Sequence, residues 1–115
     1  EMTKYFRNCL LATKVSFCNE IKQICNAADI DYDSVANLAH LDEERLGNSH
    51  YSVPGHDGDF GFGGHCFPKD LNALIKYAEK NKILPEVLSA TWRKNKEVRS
   101  DKDWETMKGR AVINE

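Results

Sequence analysis

The segment from Gly61 to Asp70, Gly-Phe-Gly-Gly-His-Cys-Phe-Pro-Lys-Asp, contains the residues best suited to chemistry. Its glycines allow the backbone to approach a ligand closely, and they precede a cysteine at the predicted start of a helix. Unpaired N–H groups and the helix dipole favour negative charge there, so a thiolate at Cys66 is stabilised as a nucleophile. Lys69 adds positive charge nearby. Asp70, one helical turn after Cys66, is suited to orienting or deprotonating a water molecule.

A second pair of polar residues, Lys4 and Asn8, lies near the start of the chain. Residues four apart share a helix face, so an ammonium and an amide group can converge there on one oxygen atom. The alternative for Lys4 is a solvated surface lysine. The alternative for Cys66 is a small apolar side chain beside glycines, and the residue types alone leave both alternatives open.

A long amphipathic helix from Lys4 to Ala28 is predicted to position the first pair, because its apolar residues recur in steps of three and four. We expect the main stripe to form the buried face and a second stripe to widen it. A helix that is apolar on two sides needs more than one neighbour, and a second copy of the chain is a suitable one, so a homodimer is predicted. The main stripe comprises Phe6, Leu10, Phe17, Ile21, Ile24 and Ala28; the second comprises Leu11, Val15, Cys18 and Cys25.

Two short elements are predicted next. Asp31 or Asp33 is expected to cap a helix through Ala39, and Asp42 to cap a further turn that ends at Gly47.

The region from Asn48 to His65 holds five of the seven glycines and is predicted to be a loop. Pro68 and Pro85 are each expected at the first position of a further helix. Alternation typical of a strand appears only weakly, at residues 110–113. The predicted fold class is therefore all-α.

Composition limits the class of protein. The chain has 115 residues, 41% of them apolar, which suits one compact domain. Sixteen basic and eighteen acidic residues give a net charge of −2 without long runs of one sign, so nucleic acid is not an expected partner. We find neither a membrane span nor a secretion signal, and we expect a cytoplasmic protein.

Cysteine and histidine usage predicts neither disulfides nor a metal site. Cys9, Cys18 and Cys25 lie on one helix, too far apart to pair, so reduced thiols are expected. The segment His56-Asp57-Gly58-Asp59 offers too few ligands for a calcium loop.

The ten residues 61–70 resemble the catalytic-cysteine signature of the UDP-glucose and GDP-mannose dehydrogenase family at every fixed position. The segments 1–8, 15–20, 42–47 and 51–55 are also similar to that family, whereas residues 56–59 lengthen its loop. The resemblance implies a central helical domain over residues 1–100, of the 6-phosphogluconate dehydrogenase C-terminal-like type, with a Gly-rich substrate loop. Residues 101–115 are then a polar tail, and the NAD-binding domain is expected to be absent from the chain.

The resemblance implies a two-step, NAD-dependent oxidation of the primary alcohol of a nucleotide sugar to a uronic acid. UDP-glucose is the favoured substrate, with GDP-mannose or a UDP-N-acetylhexosamine as alternatives. Cys66 then forms a thiohemiacetal and afterwards a thioester, which water hydrolyses. Lys4 and Asn8 stabilise the negative charge on oxygen, and Asp70 orients or deprotonates the water molecule.

The resemblance also implies the binding residues. Lys69 belongs to the cofactor site, and Arg45 reaches the substrate of the neighbouring subunit in a homodimer. Asn19 and Glu20 are expected to be structural. The competing class is a helical dimerisation module without chemistry of its own. The implied substrate contacts are Lys4, Asn8, Arg45, Tyr51, Ser52, Val53, Pro54, Gly55, Phe62 and Gly63.

Overall fold

A computed structural model describes residues 1–106, which form four α-helices and two short 3₁₀ turns and contain no strand. The helices are α1 (Met2–Ala27), α2 (Tyr32–Asp42), α3 (Cys66–Lys80) and α4 (Glu86–Val98); the turns span Glu44–Leu46 and Asp103–Thr106. The all-α prediction is therefore confirmed for these residues. Residues 110–113, where a weak strand was considered, lie outside the described part.

Helix α1 is the element on which the others pack. Its 26 residues extend about 39 Å at 1.5 Å per residue, close to the 40 Å long axis of the molecule. Helices α3 and α4 pack along it and against each other, and α2 contacts it near its C-terminal end. Ser16 of α1 donates a hydrogen bond of 2.9 Å to the carbonyl of Thr91 on α4, which fixes the register of the two helices.

The buried side of α1 differs from the prediction. Phe6 and Phe17 of the main apolar stripe are 70% and 63% exposed, whereas the opposite side is buried against α3 and α4. The residues that face the core are small, so α3 and α4 can approach the α1 backbone closely. The larger apolar residues are left on the outer face. The buried residues of α1 are Cys9, Ala12, Ser16, Cys18, Asn19 and Cys25.

Two apolar clusters form the core. One lies between α1, α3 and α4 and contains Leu71, Trp92 and Trp104, with the two indole centroids 4.9 Å apart. The other lies between α1, α2 and the loop, and contains Tyr32 and Val53. Trp104 is fully buried, so the segment 101–106, expected as part of a polar tail, is packed into the first cluster.

Helix boundaries shift by one or two residues from the expected ones. The carboxylate of Asp31 caps α2 by accepting from the Ser34 N–H, while Glu43, and not Asp42, caps the turn Glu44–Leu46. Pro68 is the third residue of α3 and Pro85 precedes α4. Both prolines fit because the first N–H groups of a helix have no intrahelical acceptor, so a missing N–H there costs no hydrogen bond.

Replacing Leu71 with Ala is expected to lower the free energy of unfolding by about 2–5 kcal/mol, because this fully buried side chain would leave a cavity in the first cluster. Urea denaturation of the 115-residue chain measures the change. Leu84→Ala is the control, since Leu84 is 76% exposed and its loss should change stability by about 0.5 kcal/mol at most. Equal losses for both variants would contradict the described packing.

Candidate active site

Cys66 is the first residue of α3, and its side chain is exposed. It lies on the wall of an open cavity of about 460 Å³ between the loop and the helices. The N–H groups of the first helical turn have no preceding carbonyl to bind, so they direct partial positive charge toward this end of α3. The position suits an anionic sulfur that is accessible to a ligand.

The cavity walls combine backbone surface with three histidines. Glycines allow the backbone itself to form much of the wall near Cys66. Burial, together with the positive charges of Lys14 and His56, lowers the pKa of His50. The lining residues are Val15, His50, Ser52, Gly55, His56, Asp57, Gly61, Phe62, Gly63, His65, Cys66, Phe67 and Arg99.

Two buried asparagines hold the glycine segment in place. The side-chain oxygen of Asn19 accepts from the Gly61 N–H at 3.1 Å, which agrees with the structural role expected for Asn19. Asn95 accepts from the Phe62 N–H at 2.7 Å and donates to the Phe62 carbonyl at 2.9 Å. Gly61 has φ +67°, and a Cβ at this position would clash with the Asn95 amide. Only glycine therefore fits between the two asparagines.

Lys4, Asn8 and Asp70 meet where α1 crosses the first turns of α3. The Asp70 carboxylate accepts a hydrogen bond of 2.8 Å from the Asn8 amide, and the Lys4 ammonium lies 3.7 Å from its other oxygen. The Asp70 side chain is only 2% exposed, whereas that of Lys4 is 45% exposed. The ammonium and the amide thus lie against different oxygens of one group, the Asp70 carboxylate, whereas their spacing was expected to bring them together on one oxygen atom.

The Asp70 carboxylate also contributes to the pKa of a buried thiol, that of Cys9. Burial, and then the charge of Asp70, raises the pKa of Cys9 to about 11. Cys9 is therefore a protonated, buried thiol, in contrast to the accessible Cys66. All four cysteines are free thiols.

Four of the residues expected to contact substrate line the cavity: Ser52, Gly55, Phe62 and Gly63.

The other residues of that loop serve packing or lie in solvent. Val53 is buried in the second cluster, and Pro54 is exposed. The Tyr51 ring stacks on His40 with centroids 3.7 Å apart, and its carbonyl accepts a 2.6 Å hydrogen bond from Tyr32. These contacts anchor one side of the loop to α2.

Arg45 and Lys69 lie away from the cavity wall. The Arg45 guanidinium binds both oxygens of Glu43 at 2.8 Å, and its side chain is 85% exposed. Lys69 is exposed on the first turn of α3. Neither side chain reaches the cavity within this single chain.

Sequence reasoning missed Asn95, Arg99 and the cavity histidines. Asn95 is a polar residue at a core position of α4, which is a signal that it has a hydrogen-bond partner. Arg99 gave no such signal, because it follows the last residue of α4. His65 lines the same cavity as Cys66.

Two negative findings concern residues 1–106. No three of their His, Cys, Asp or Glu side chains are grouped closely enough to hold a metal ion. In the same part of the chain, no helix combines the length and apolar character of a membrane span.

Residues 1–97 match the central domain of the UDP-glucose/GDP-mannose dehydrogenase family. The UDP-glucose 6-dehydrogenase YwqF of Bacillus subtilis is 44% identical over 78 residues, which are 68% of this chain and 16% of that protein. The UDP-glucose 6-dehydrogenase of Pseudomonas aeruginosa is 38% identical over 95 residues, 83% of this chain and 20% of the relative. That of Rickettsia bellii is 37% identical over 97 residues, 84% and 21% respectively.

The chain spans about a fifth of the length of these curated relatives. The family match nevertheless covers both the long helix with Lys4 and Asn8 and the glycine loop that leads to Cys66. The chain therefore belongs to the UDP-glucose/GDP-mannose dehydrogenase family, as a central domain of that family.

Proposed function

We propose that this chain is the substrate-binding and catalytic-cysteine domain of an NAD-dependent UDP-glucose 6-dehydrogenase. The observation that carries the proposal is the exposed Cys66 at the start of α3, opening on a cavity beside the glycine loop. Relatives named UDP-glucose 6-dehydrogenase support this substrate.

Cys66 is the proposed nucleophile for the second oxidation. Its sulfur adds to the carbon of the sugar aldehyde, a C–S bond forms, and the aldehyde oxygen gains a proton. Loss of a hydride from that carbon and a proton from the hydroxyl group leaves a thioester. Water then attacks the thioester, the C–S bond breaks, and the uronic acid leaves with the thiol restored. The position of Cys66 at a helix start supports the thiolate that this addition requires.

Lys4, Asn8 and Asp70 are the proposed polar groups of the reaction. Asn8 and Lys4 can donate hydrogen bonds to oxygen, and in the structure both contact the Asp70 carboxylate. A substrate oxygen entering beside them would share these donors, which would stabilise its charge in the tetrahedral states. Asp70 would retain an accepting oxygen to orient the hydrolytic water.

NAD supplies the acceptor for the hydride lost at each oxidation. The residues described here do not form a dinucleotide site, because residues 1–106 contain no parallel sheet with its glycine-rich turn. Lys69 alone is proposed to contact the cofactor, and the remaining contacts are assigned to a part of the protein outside this chain.

Homodimerisation through α1 is part of the proposal. Its outer face carries an apolar stripe, which we call the α1 stripe: Met2, Phe6, Leu10, Phe17 and Ile24, each more than half exposed. An apolar helix face of this length favours a second copy of the same helix as its cover. The outward direction of Arg45 is compatible with a contact to the neighbouring subunit's substrate.

Two alternatives remain. GDP-mannose or a UDP-N-acetylhexosamine could replace UDP-glucose, and an activity panel with the intact enzyme separates these substrates. The α1 stripe also supports a second function, a helical dimerisation module without chemistry, in which Cys66 is incidental.

Iodoacetamide is expected to alkylate Cys66 first in the folded 115-residue chain at pH 7, faster than it alkylates glutathione. Cys9, Cys18 and Cys25 are at most 5% exposed, and the Cys9 thiol, with its pKa near 11, stays protonated at this pH. Mass spectrometry of peptides identifies the labelled residue, and all four should react in urea. Labelling of Cys66 no faster than glutathione would favour the dimerisation module.

Cys66→Ser in the intact enzyme is expected to reduce uronic acid formation by about a thousandfold or more, because the thioester cannot form. Product is measured by chromatography with UDP-glucose and NAD. Cys25→Ala is the matched control, since Cys25 is buried in the second cluster and does not line the cavity. Undiminished acid formation by Cys66→Ser would refute the proposed mechanism.

Phe6→Glu is expected to shift the chain from dimer to monomer, because a carboxylate would be buried in the α1–α1 contact. Light scattering after size exclusion gives the mass. Leu84→Glu changes an equally exposed apolar residue outside the α1 stripe and should leave the dimer intact. The α1 interface is wrong if both variants retain the mass of the unmodified chain.

A further inference from the structure

Four charged residues tie the end of the chain's described part to the loop before Cys66. We propose that this group, Asp57, Asp59, Arg99 and Asp103, which we call the clasp, positions Cys66 by fixing the backbone of Gly63 and Gly64. The inference rests on the proposed role of Cys66 as the nucleophile. It assigns Arg99 and Asp103 as positioning residues.

Arg99 is the centre of the clasp. Its side chain is 2% exposed, and its guanidinium binds the Asp57 carboxylate at 2.7 Å and lies 3.6 Å from that of Asp59. It also donates to the carbonyls of Asp101 at 2.8 Å and Phe60 at 3.4 Å. A buried cation with several partners in different segments holds those segments at fixed separation, because releasing any partner leaves charge without compensation.

The two loop aspartates are ionised partners of this cation. The hydrogen bond from Arg99 lowers the pKa of Asp57. Burial tends to raise the pKa of Asp59, but hydrogen bonds from the N–H groups of Asp101, Phe60 and Ser100 outweigh it, and the pKa is lowered. A carboxyl group whose folded-state pKa is depressed stabilises the fold above its unfolded value of about 4. That contribution is lost as the pH falls through the folded-state pKa.

Asp103 makes the contact nearest to Cys66. Both of its carboxylate oxygens accept from the Gly64 N–H, at 2.9 and 3.0 Å. The preceding glycine packs directly on the clasp, since a Cβ at Gly63 would clash with the Arg99 guanidinium and the Asp103 carboxylate. The backbone two and three residues before Cys66 is therefore set by side chains from beyond α4.

The clasp also accounts for the lengthened loop at residues 56–59. Asp57 and Asp59 come from that segment, and both carboxylates face the Arg99 guanidinium. Their partner Arg99 lies after residue 97, where the family match ends. The long loop and the segment 99–103 thus depend on each other in this chain.

Positioning matters here because Arg99, Gly63 and Cys66 line the same cavity. A displacement of about 1 Å between a nucleophile and its target carbon can reduce a reaction rate about a hundredfold. Without the hydrogen bond to Asp103, the backbone at Gly64 would be free to move. The residues that lead into α3, including Cys66, would then move with it.

The test compares Asp103→Ala with Asp103→Asn in the intact enzyme and in the 115-residue chain. We expect Asp103→Ala to lower kcat for acid formation by about tenfold or more, with a smaller change in KM. Asp103→Asn keeps one oxygen that can accept from Gly64 and should recover kcat to within about threefold of the unmodified enzyme. Asp101→Ala is the matched control, because it removes an exposed carboxylate of the same segment while its backbone contacts remain.

Amide hydrogen exchange of the 115-residue chain supplies a readout that does not depend on catalysis. In Asp103→Ala the Gly64 amide should exchange at least about tenfold faster, while the Phe62 amide, held by Asn95, stays protected. Unchanged Gly64 exchange, or an Asp103→Asn enzyme as slow as Asp103→Ala at equal melting temperature, would overturn the clasp. Faster Gly64 exchange with normal acid formation by Cys66→Ser would leave the clasp intact and refute the proposed function instead.

Should Asp103→Ala fail to fold, Arg99→Lys gives an independent test. The three partners of Arg99 are bound by three different guanidinium nitrogens. An ammonium places all of its donors on one nitrogen and lacks this planar spread, so kcat should fall although the charge is kept. An Arg99→Lys enzyme with unchanged kcat would contradict the proposal.

Discussion

The buried side chain of Asn95 is the constraint on which the cavity depends. The loop from 47 to 65 contains no helix or strand, so its buried backbone groups lack the partners that regular structure supplies. Asn95 replaces those partners by bonding both the N–H and the C=O of Phe62 while being fully buried itself. An amide side chain is suited to this task because it offers a donor and an acceptor at fixed separation, as a peptide group does. Through it, the fold of α4 determines where the glycine segment can lie.

Asp70 has a comparable role on the other side of Cys66. Its carboxylate is almost completely buried, so the charge must be compensated, and α1 supplies Lys4 and Asn8 for that purpose. The proposed polar groups are thus assembled before any ligand arrives, which avoids reorganisation when oxygen charge develops. The same charge helps to keep the buried Cys9 protonated, whereas Cys66 on the neighbouring helix is exposed.

The all-α class, the loop and the position of Cys66 at a helix start were predictable, because they rest on local signals: apolar spacing, glycine content and helix-start residues. The side of α1 that is buried was not predictable from such signals. Spacing identifies an apolar helix face, and Phe6 and Leu10 are apolar enough to belong to a core. The buried face is instead the one with small residues, because only small residues allow α3 and α4 to pack closely against α1. Trp104 was missed for a related reason, since a single aromatic residue in a polar segment has no period by which to recognise its burial.

The pair Trp92 and Trp104 gives the molecule its own optical reporter. They are the only two tryptophans of the chain, and their rings lie 4.9 Å apart in the interior. Trp104 follows Asp103 directly, so release of this terminal segment would transfer one indole from hydrocarbon to water. Ultraviolet emission would move to longer wavelength as a result, and fluorescence would then follow local opening beside the cysteine loop without any added dye.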